Sequence, residues 1–207
     1  MSSAAFPARP LRRGQGPWLY AAAAVVALFE LGVTWLALHP DVPADYRAYY
    51  LDQTTTCLNE PVNGSYSFGT EVTFRSSPDD RLIKPLRVCG WEGPVGDGLH
   101  AVGESARLRF ALPYNAQNLT LMLELVAVDM AGPKGQRVVV RVNGSNVGEV
   151  RAVPKTPRRF DFTIPNALLA AGHRLDIELS FPDAIRIDPQ DSDTRKRSIK
   201  LLAGKVV

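Results

Sequence analysis

The sequence predicts an all-β fold, two sheets packed as a sandwich, preceded by a single membrane-spanning helix. From Leu19 to Leu38 the chain has 20 residues with a single charged side chain, Glu30. At about 1.5 Å per residue this run matches the roughly 30 Å hydrocarbon core of a bilayer. After Ser65, apolar and polar residues alternate with a period of two in several runs. That alternation is typical of strands with one buried face.

The segment before the apolar run predicts the orientation of the chain. Residues 1–17 have no hydrophobic periodicity and are rich in Pro, Gly, Ala, Ser and Arg, which predicts a disordered cytoplasmic tail. Arg9, Arg12 and Arg13 account for the formal net charge of +3. By the positive-inside rule the N-terminus stays in the cytoplasm and everything after His39 is exported. The exported part is nearly neutral, so we expect no nucleic-acid partner.

The apolar segment 18–39 is interpreted as an uncleaved signal-anchor in the inner (cytoplasmic) membrane. A soluble core helix is disfavoured by its basic and Pro-rich flanks. The main alternative is a cleaved signal peptide, because the small residues of Val42-Pro43-Ala44 precede Asp45 at a spacing that suits cleavage. The apolar run exceeds the about 7–15 residues of a usual signal core, which favours the anchor. In both cases the remainder lies in the periplasm or outside the cell.

A seam of small residues surrounds the one charge in this segment. An ionisable side chain at mid-membrane costs about 2.5–3.5 kcal/mol and normally faces protein or water. Spacings of four and three place Ala23, Ala27, Glu30, Thr34 and Ala37 on one side of a helix. Small side chains let a second helix approach closely and accept a hydrogen bond from a protonated carboxyl group. The seam predicts contact with a membrane partner; a protonated glutamate tolerated in an Ala-rich anchor explains it equally well.

The exported part is divided into an entry segment and one domain. Residues 40–64 are predicted to be a linker and domain entry, with an extended start, and residues 65–207 a β-sandwich. Asn143-Gly144 between two valine-rich runs predicts a type I′ hairpin. The one helical candidate of the domain is 166–171. The predicted strands are 66–74, 105–112, 119–125, 137–142, 160–164, 175–181 and 198–206.

The chain has two cysteines, Cys57 and Cys89. Thiols outside the cytoplasm tend to oxidise, so we expect one disulfide between the segment before the first strand and the second strand. Two free buried thiols are the alternative.

Catalytic and metal-binding patterns are missing from the sequence. The three histidines, His39, His100 and His173, do not form a cluster with metal-ligand spacing. There is no Gly-x-Ser-x-Gly, phosphate loop or dinucleotide fingerprint. We therefore expect no enzyme activity and no cofactor or metal.

Candidate ligand-binding residues lie in the Gly-rich stretch 89–103. It contains Trp91, Glu92, Asp97 and His100. An aromatic ring that covers the C–H face of a sugar, with carboxylates that accept hydroxyl protons, is typical of glycan recognition. Packing of Trp91 in the core at a corner of the sandwich is the favoured alternative.

A second candidate stretch, 188–198, is densely charged and directly precedes the last predicted strand. Asp193 and Arg195 are its candidate ligand-binding residues. The favoured alternative is a structural ion pair that fixes the start of that strand.

The chain from about Tyr66 to Leu202 resembles the exported jelly-roll domain found with bacterial membrane glycosyltransferases and phosphoglycerol transferases. The resemblance implies a jelly roll, work on cell-envelope glycan, and a polytopic membrane enzyme of the glycosyltransferase type as partner, with envelope glycan as a further ligand. In the family the domain usually belongs to a polytopic enzyme, whereas here a single helix precedes it, which argues against catalysis. The shared motifs are Gly90-Trp91, Asp97-Gly98-Leu99-His100-Ala101-Val102-Gly103, the 106–110 strand, Val142-Asn143-Gly144, the connection from Ile164-Pro165 to Gly172, Phe181-Pro182-Asp183-Ala184 and Asp193-Thr194-Arg195.

These observations lead to one functional hypothesis and two alternatives. The first is a single-span accessory subunit of a cell-envelope polysaccharide or glycolipid assembly system, whose jelly roll binds glycan or a partner's exported domain. The alternatives are a purely structural subunit that binds no sugar, and an envelope glycan hydrolase or lyase.

Overall fold

The computed structural model describes residues 16–39, 41–53, 55–57, 62–75, 80–114, 116–169, 173–187, 190 and 193–207. The chain forms two compact units, one that ends at Pro43 and one from Ala44 to Val207. Most of the predicted cytoplasmic tail lies outside the described residues.

The first unit contains one long helix, α1, Gly16–Leu38. It has 23 residues, a mean hydropathy of 2.0 over its most apolar window, and no buried side chain. By length and composition it could span a membrane, and it is the one helix of the described chain that meets both criteria. The predicted apolar helix is confirmed.

The second unit is a sandwich of two antiparallel sheets. One sheet has the strand order β1-β10-β5-β8, with β3 also paired to β10, and the other has the order β2-β4-β9-β6-β7. The strands in the described part of the chain are β1 Val72–Thr73, β2 Arg87–Cys89, β3 Leu99–Val102, β4 Ser105–Ala111, β5 Leu119–Ala127, β6 Gln136–Val142, β7 Ser145–Ala152, β8 Arg158–Ile164, β9 Arg174–Ser180 and β10 Arg197–Val206.

The pairing of β3 to β10 follows the jelly-roll scheme. The first of these strands pairs with the last, β4 with β9, β5 with β8, and β6 with β7. A long hairpin wrapped on itself in this way distributes its strands over two sheets. β1 and β2 extend one edge of each sheet. The predicted all-β sandwich with a preceding apolar helix is confirmed, and the strand order makes it a jelly roll.

The core between the sheets follows from the period-two alternation. In β5 the side chains of Leu119, Leu121, Leu123 and Leu125 are all buried, whereas the residues between them are half-buried. Each such side chain contributes about 1.5–3 kcal/mol when removed from water. The β6–β7 hairpin turns at Asn143-Gly144, where φ is 47° and 86°. Positive φ at both positions is what a type I′ turn requires.

The strand predicted over 66–74 is wrong for most of its length. Only β1, Val72–Thr73, is a strand. Phe68 and Gly69 form a turn, with φ of 82° at Gly69, and the amide of Gly69 donates to the carbonyl of Val206 at 3.1 Å. Alternation alone did not reveal this turn, because glycine occupied one of the polar positions.

Several short helical turns lie in segments that the sequence left irregular. An α-helical turn Ala44–Tyr46 continues into a π-helical turn Arg47–Leu51, closed by the Asp52 amide donating to the Arg47 carbonyl at 2.9 Å. The helix Asp80–Ile83 continues into the 3₁₀ turn Lys84–Leu86. A further 3₁₀ turn covers Asp129–Ala131. These turns are too short for a 3.6-residue pattern to appear in the sequence.

The predicted helical candidate after β8 is a 3₁₀ turn, Asn166–Leu169, and its last two predicted residues lie outside the described chain. The predicted disulfide between Cys57 and Cys89 is confirmed. It joins the segment that follows the π-helical turn to the end of β2. The amide of Gly90 also donates to the carbonyl of Thr56 at 2.9 Å, which holds the same two segments together.

Candidate functional site

A cleft of about 440 Å³ lies beside the Cys57–Cys89 disulfide, and we call it the tyrosine cleft. One wall is the π-helical turn Arg47–Leu51 with the residues that follow it. The other lining segment is β2 with the adjoining Gly90–Gly93 segment. The side chains and backbone that define it belong to Tyr49, Tyr50, Gln53, Thr56, Lys84, Arg87, Val88, Cys89, Gly90, Trp91, Glu92, Gly93 and Arg195.

Two consecutive tyrosines of the π-helical turn have different roles. The Tyr49 hydroxyl donates to the carbonyl of Trp91 at 2.9 Å, which fixes the turn against the jelly roll. Burial raises the pKa of Tyr49, so this donor stays protonated. Tyr50 packs edge-on against Tyr49 at a centroid distance of 4.8 Å and is 51% exposed. The cleft thus has a positioned aromatic ring that is open to a ligand.

An ion-pair network contributes Glu92 and Arg195 to the lining of the cleft. Arg195 donates from Nε and Nη2 to both carboxylate oxygens of Asp193, each at 2.8 Å. Arg197 contacts Asp193 at 3.1 Å and also pairs with Glu92. The hydrogen bonds from Arg195 hold the pKa of Asp193 well below its usual range. Asp193 and Arg195 lie immediately before β10. The Arg195 guanidinium lies 5.3 Å from the centroid of the Tyr49 ring.

Asp97 and His100 belong to a second network, which joins the start of β3 to β10. Asp97 accepts a hydrogen bond from the Lys200 ammonium group at 2.6 Å, and its other carboxylate oxygen lies 3.0 Å from Nε2 of His100. These two contacts lower the pKa of Asp97 to about 2, and the hydrogen bond from Lys200 has the larger effect. His100 and Lys200 are register partners in β3 and β10. The Glu92 amide donates to the His100 carbonyl at 3.0 Å and links the two networks.

Trp91 is a core residue in the structure. It is 5% exposed, and its Nε1 donates to the carbonyl of Arg107 at 2.8 Å. Its backbone forms a bridge with Ala101 of β3. The buried ring agrees with packing in the core, the favoured alternative to a stacking role for Trp91. The stretch 89–103 is also not one loop, since it includes the end of β2 and all of β3.

The structure therefore brings five of the six candidate ligand residues together through two linked networks around the β3–β10 pair. Two cleft residues, Lys84 and Arg87, were not found from the sequence. They lie in a short turn and a three-residue strand without motif or alternation. Tyr49 and Tyr50 belong to the predicted entry segment 40–64, and their place in a cleft depends on tertiary contacts that the sequence does not show.

The α1 seam consists of exposed side chains in the described chain. Ala23, Ala27, Glu30, Thr34 and Ala37 follow the helical spacing expected of them within Gly16–Leu38. Among the described residues, no group of three or more His, Cys, Asp or Glu could hold a metal ion.

Comparisons with known proteins gave matches among solved structures but none among sequences. No protein-family model and no curated protein sequence matches this chain. Similar solved structures include a carbohydrate-binding module, CBM36, in complex with calcium and xylotriose, with 13% identity, 67% of this chain and 99% of that chain covered, and a TM-score of 0.38. A family 35 carbohydrate-binding module from an environmental isolate has 10% identity, coverage of 74% and 92%, and a TM-score of 0.34. The ANX2 ectodomain from Arabidopsis thaliana has 11% identity, coverage of 69% and 40%, and a TM-score of 0.36.

Proposed function

We propose that this protein is a single-span, non-catalytic accessory subunit of a cell-envelope polysaccharide or glycolipid assembly system. In this proposal α1 anchors the chain in the inner membrane with its N-terminus in the cytoplasm. The jelly roll lies on the periplasmic or extracellular side, where it binds glycan or a partner's exported domain. The length and hydropathy of α1 support the anchor. The Cys57–Cys89 disulfide supports an oxidising compartment.

The tyrosine cleft is the observation that carries the glycan-binding part of the proposal. A sugar ring has an apolar C–H face that packs on an aromatic ring, and its hydroxyl groups need hydrogen-bond partners. The cleft offers the exposed ring of Tyr50 with polar side chains of Gln53, Thr56 and Arg87 around it. It is open to solvent, and each sugar hydroxyl must exchange water for a protein partner. Binding is therefore expected to be weak for a single site.

The first prediction is that Tyr50→Ala weakens glycan binding. We expect the dissociation constant to rise by about 3- to 10-fold, because an aromatic contact contributes roughly 0.5–1.5 kcal/mol beyond burial. The measurement is calorimetric titration of the full-length chain in nanodiscs with oligosaccharides prepared from the cell envelope. Tyr114→Ala is the matched control, since Tyr114 is 83% exposed and lies outside the cleft. Equal affinity of Tyr50→Ala and wild type, or no binding by wild type, would contradict the prediction.

The structural-subunit alternative is favoured by the buried ring of Trp91 and by the ion pairs that occupy Glu92, Asp97 and Asp193. It predicts no glycan binding at any concentration tested. A hydrolase or lyase is disfavoured for this cleft. Most glycoside hydrolases use two carboxyl groups about 5–10 Å apart. Among the described residues that line the cleft, Glu92 supplies the one carboxylate, and Arg197 engages it.

The second prediction concerns α1 as a docking helix for a polytopic membrane enzyme of the glycosyltransferase type. In the proposal the carboxyl group of Glu30 forms an interhelical hydrogen bond, and the small residues of the seam allow close approach. Glu30→Leu should insert at least as well as wild type but co-purify less of the partner in mild detergent. Interhelical hydrogen bonds average about 0.6 kcal/mol, so the loss is partial, and Ala27→Leu should add to it by blocking approach.

The control for this prediction is Leu31→Ala, which lies off the seam and should change little. If the double variant Glu30→Leu/Ala27→Leu retains the complex in full, the helix does not make the contact.

A further inference from the structure

We propose that the ligand of the tyrosine cleft carries a negative charge, a carboxylate or a phosphate group on the glycan. The proposal rests on the proposed function, since it names the chemical class of glycan that the same cleft would bind.

The lack of a carboxylate partner for Arg87 among the described residues supports this inference. It lines the cleft and is half-buried, and no carboxylate of the described chain lies within ion-pair distance of it. Its Nη1 donates to the Glu92 carbonyl at 2.9 Å, and its buried Nε has no acceptor among the described residues. In contrast, other half-buried arginines of the domain each contact a carboxylate; these are Arg109, Arg137, Arg141, Arg195 and Arg197.

The balance of charge in the cleft is the second observation. Glu92 is engaged by Arg197, and Arg195 is engaged by Asp193, so these four groups neutralise one another locally. Lys84 also lines the cleft, is exposed, and forms no ion pair with a described residue. Lys84 and Arg87 therefore leave the cleft with two positive charges that the described residues do not compensate.

The position of the two cations is the third observation. Lys84 begins the 3₁₀ turn Lys84–Leu86, and Arg87 follows as the first residue of β2. The two cations are three residues apart in the chain, and both line the tyrosine cleft. The exposed ring of Tyr50 lines the same cleft. A sugar that packs on this ring can extend an anionic substituent toward Lys84 and Arg87, and a guanidinium group binds carboxylate or phosphate with two parallel hydrogen bonds.

The test compares charged and neutral forms of one sugar. The full-length chain in nanodiscs is titrated with a glucuronate-containing tetrasaccharide of the hyaluronan type and with its carboxyl-reduced form, in which an uncharged hydroxymethyl group replaces each carboxylate. Glucose 1-phosphate and inorganic phosphate are titrated in parallel, to distinguish a uronate from a sugar phosphate. We expect the charged ligand to bind about tenfold more tightly at low salt, and this preference to fall as ionic strength rises.

Variants locate the charge recognition. Arg87→Gln should remove most of the preference. Lys84→Gln, on an exposed side chain that can be changed without affecting the core, should reduce it by about threefold. Lys134→Gln is the matched control, because Lys134 is an exposed cation outside the cleft with no ion pair to a described residue. Retention of the preference in both cleft variants would overturn the inference.

The outcomes also separate this inference from the proposed function. Equal binding of the charged and neutral tetrasaccharides, with loss of both in Tyr50→Ala, would overturn the charge inference and leave glycan binding in place. Failure of wild type to bind any sugar, charged or neutral, would overturn both. Binding of inorganic phosphate as tight as that of glucose 1-phosphate would show that the cleft recognises an anion and no sugar, and would also overturn the inference.

Discussion

Trp91→Ala is expected to lower the free energy of unfolding of the jelly roll by about 3–5 kcal/mol, as large-to-small changes of a buried aromatic residue do. The side chain belongs to the hydrophobic core, and the Trp91 backbone forms a bridge with Ala101. Its removal leaves a cavity and deprives the Arg107 carbonyl of the hydrogen bond from Nε1. The measurement is urea denaturation followed by circular dichroism, which does not depend on the fluorescence of the replaced residue.

Two further variants sharpen this prediction. Trp91→Phe keeps most of the ring and should cost less, because it loses mainly the hydrogen bond and part of the packing. Tyr114→Ala, at an exposed side chain, should stay within about 0.5 kcal/mol of wild type. A loss below about 1 kcal/mol for Trp91→Ala would contradict a core position for Trp91, since a truncated core aromatic costs several times as much.

Removal of the Cys57–Cys89 disulfide is expected to have the next largest effect. The two cysteines are 32 residues apart, and closing a loop of that size in the unfolded chain contributes about 3–4 kcal/mol in the chain-entropy model. The double variant Cys57→Ser/Cys89→Ser should therefore unfold at a lower urea concentration than wild type under non-reducing conditions. The double variant avoids an unpaired thiol.

The control for the disulfide prediction is the response to reductant. Wild type should shift toward the double variant when reduced, whereas the double variant should not respond. Thiol labelling of the denatured, unreduced wild type should find neither cysteine. Full labelling of both cysteines would reject the disulfide in the protein as isolated.

The fold was largely predictable because its signals are local. An apolar run of the length of α1 and the alternating leucines of β5 each report burial directly in the sequence. Asn143-Gly144 reports a hairpin because few other residues tolerate its two positive φ angles. The strand predicted over 66–74 failed where Gly69 turns the chain, and β3 was missed because four residues are too few to establish a period.

The site was less predictable because it depends on contacts between distant segments. Glu92, Asp193 and Arg195 were found as charges in unusual stretches, but the role of Arg197 as the residue that links Glu92 to Asp193 is set by the β3–β10 register. Arg87 carries no sequence signal, since an arginine in a short strand is common. Trp91 was a candidate because it shares a Gly-rich stretch with two acids and a histidine, and the sequence does not show on which side of the sheet its ring lies.

Glycan binding in the tyrosine cleft is tested by hydrogen–deuterium exchange of the full-length chain in nanodiscs with and without saturating envelope oligosaccharide. We expect slower exchange in peptides that cover 47–53 and 87–93, with no change in the β6–β7 hairpin. Protection confined to the hairpin or to other parts of the jelly roll, or no protection at 47–53 and 87–93 at saturation, would contradict it.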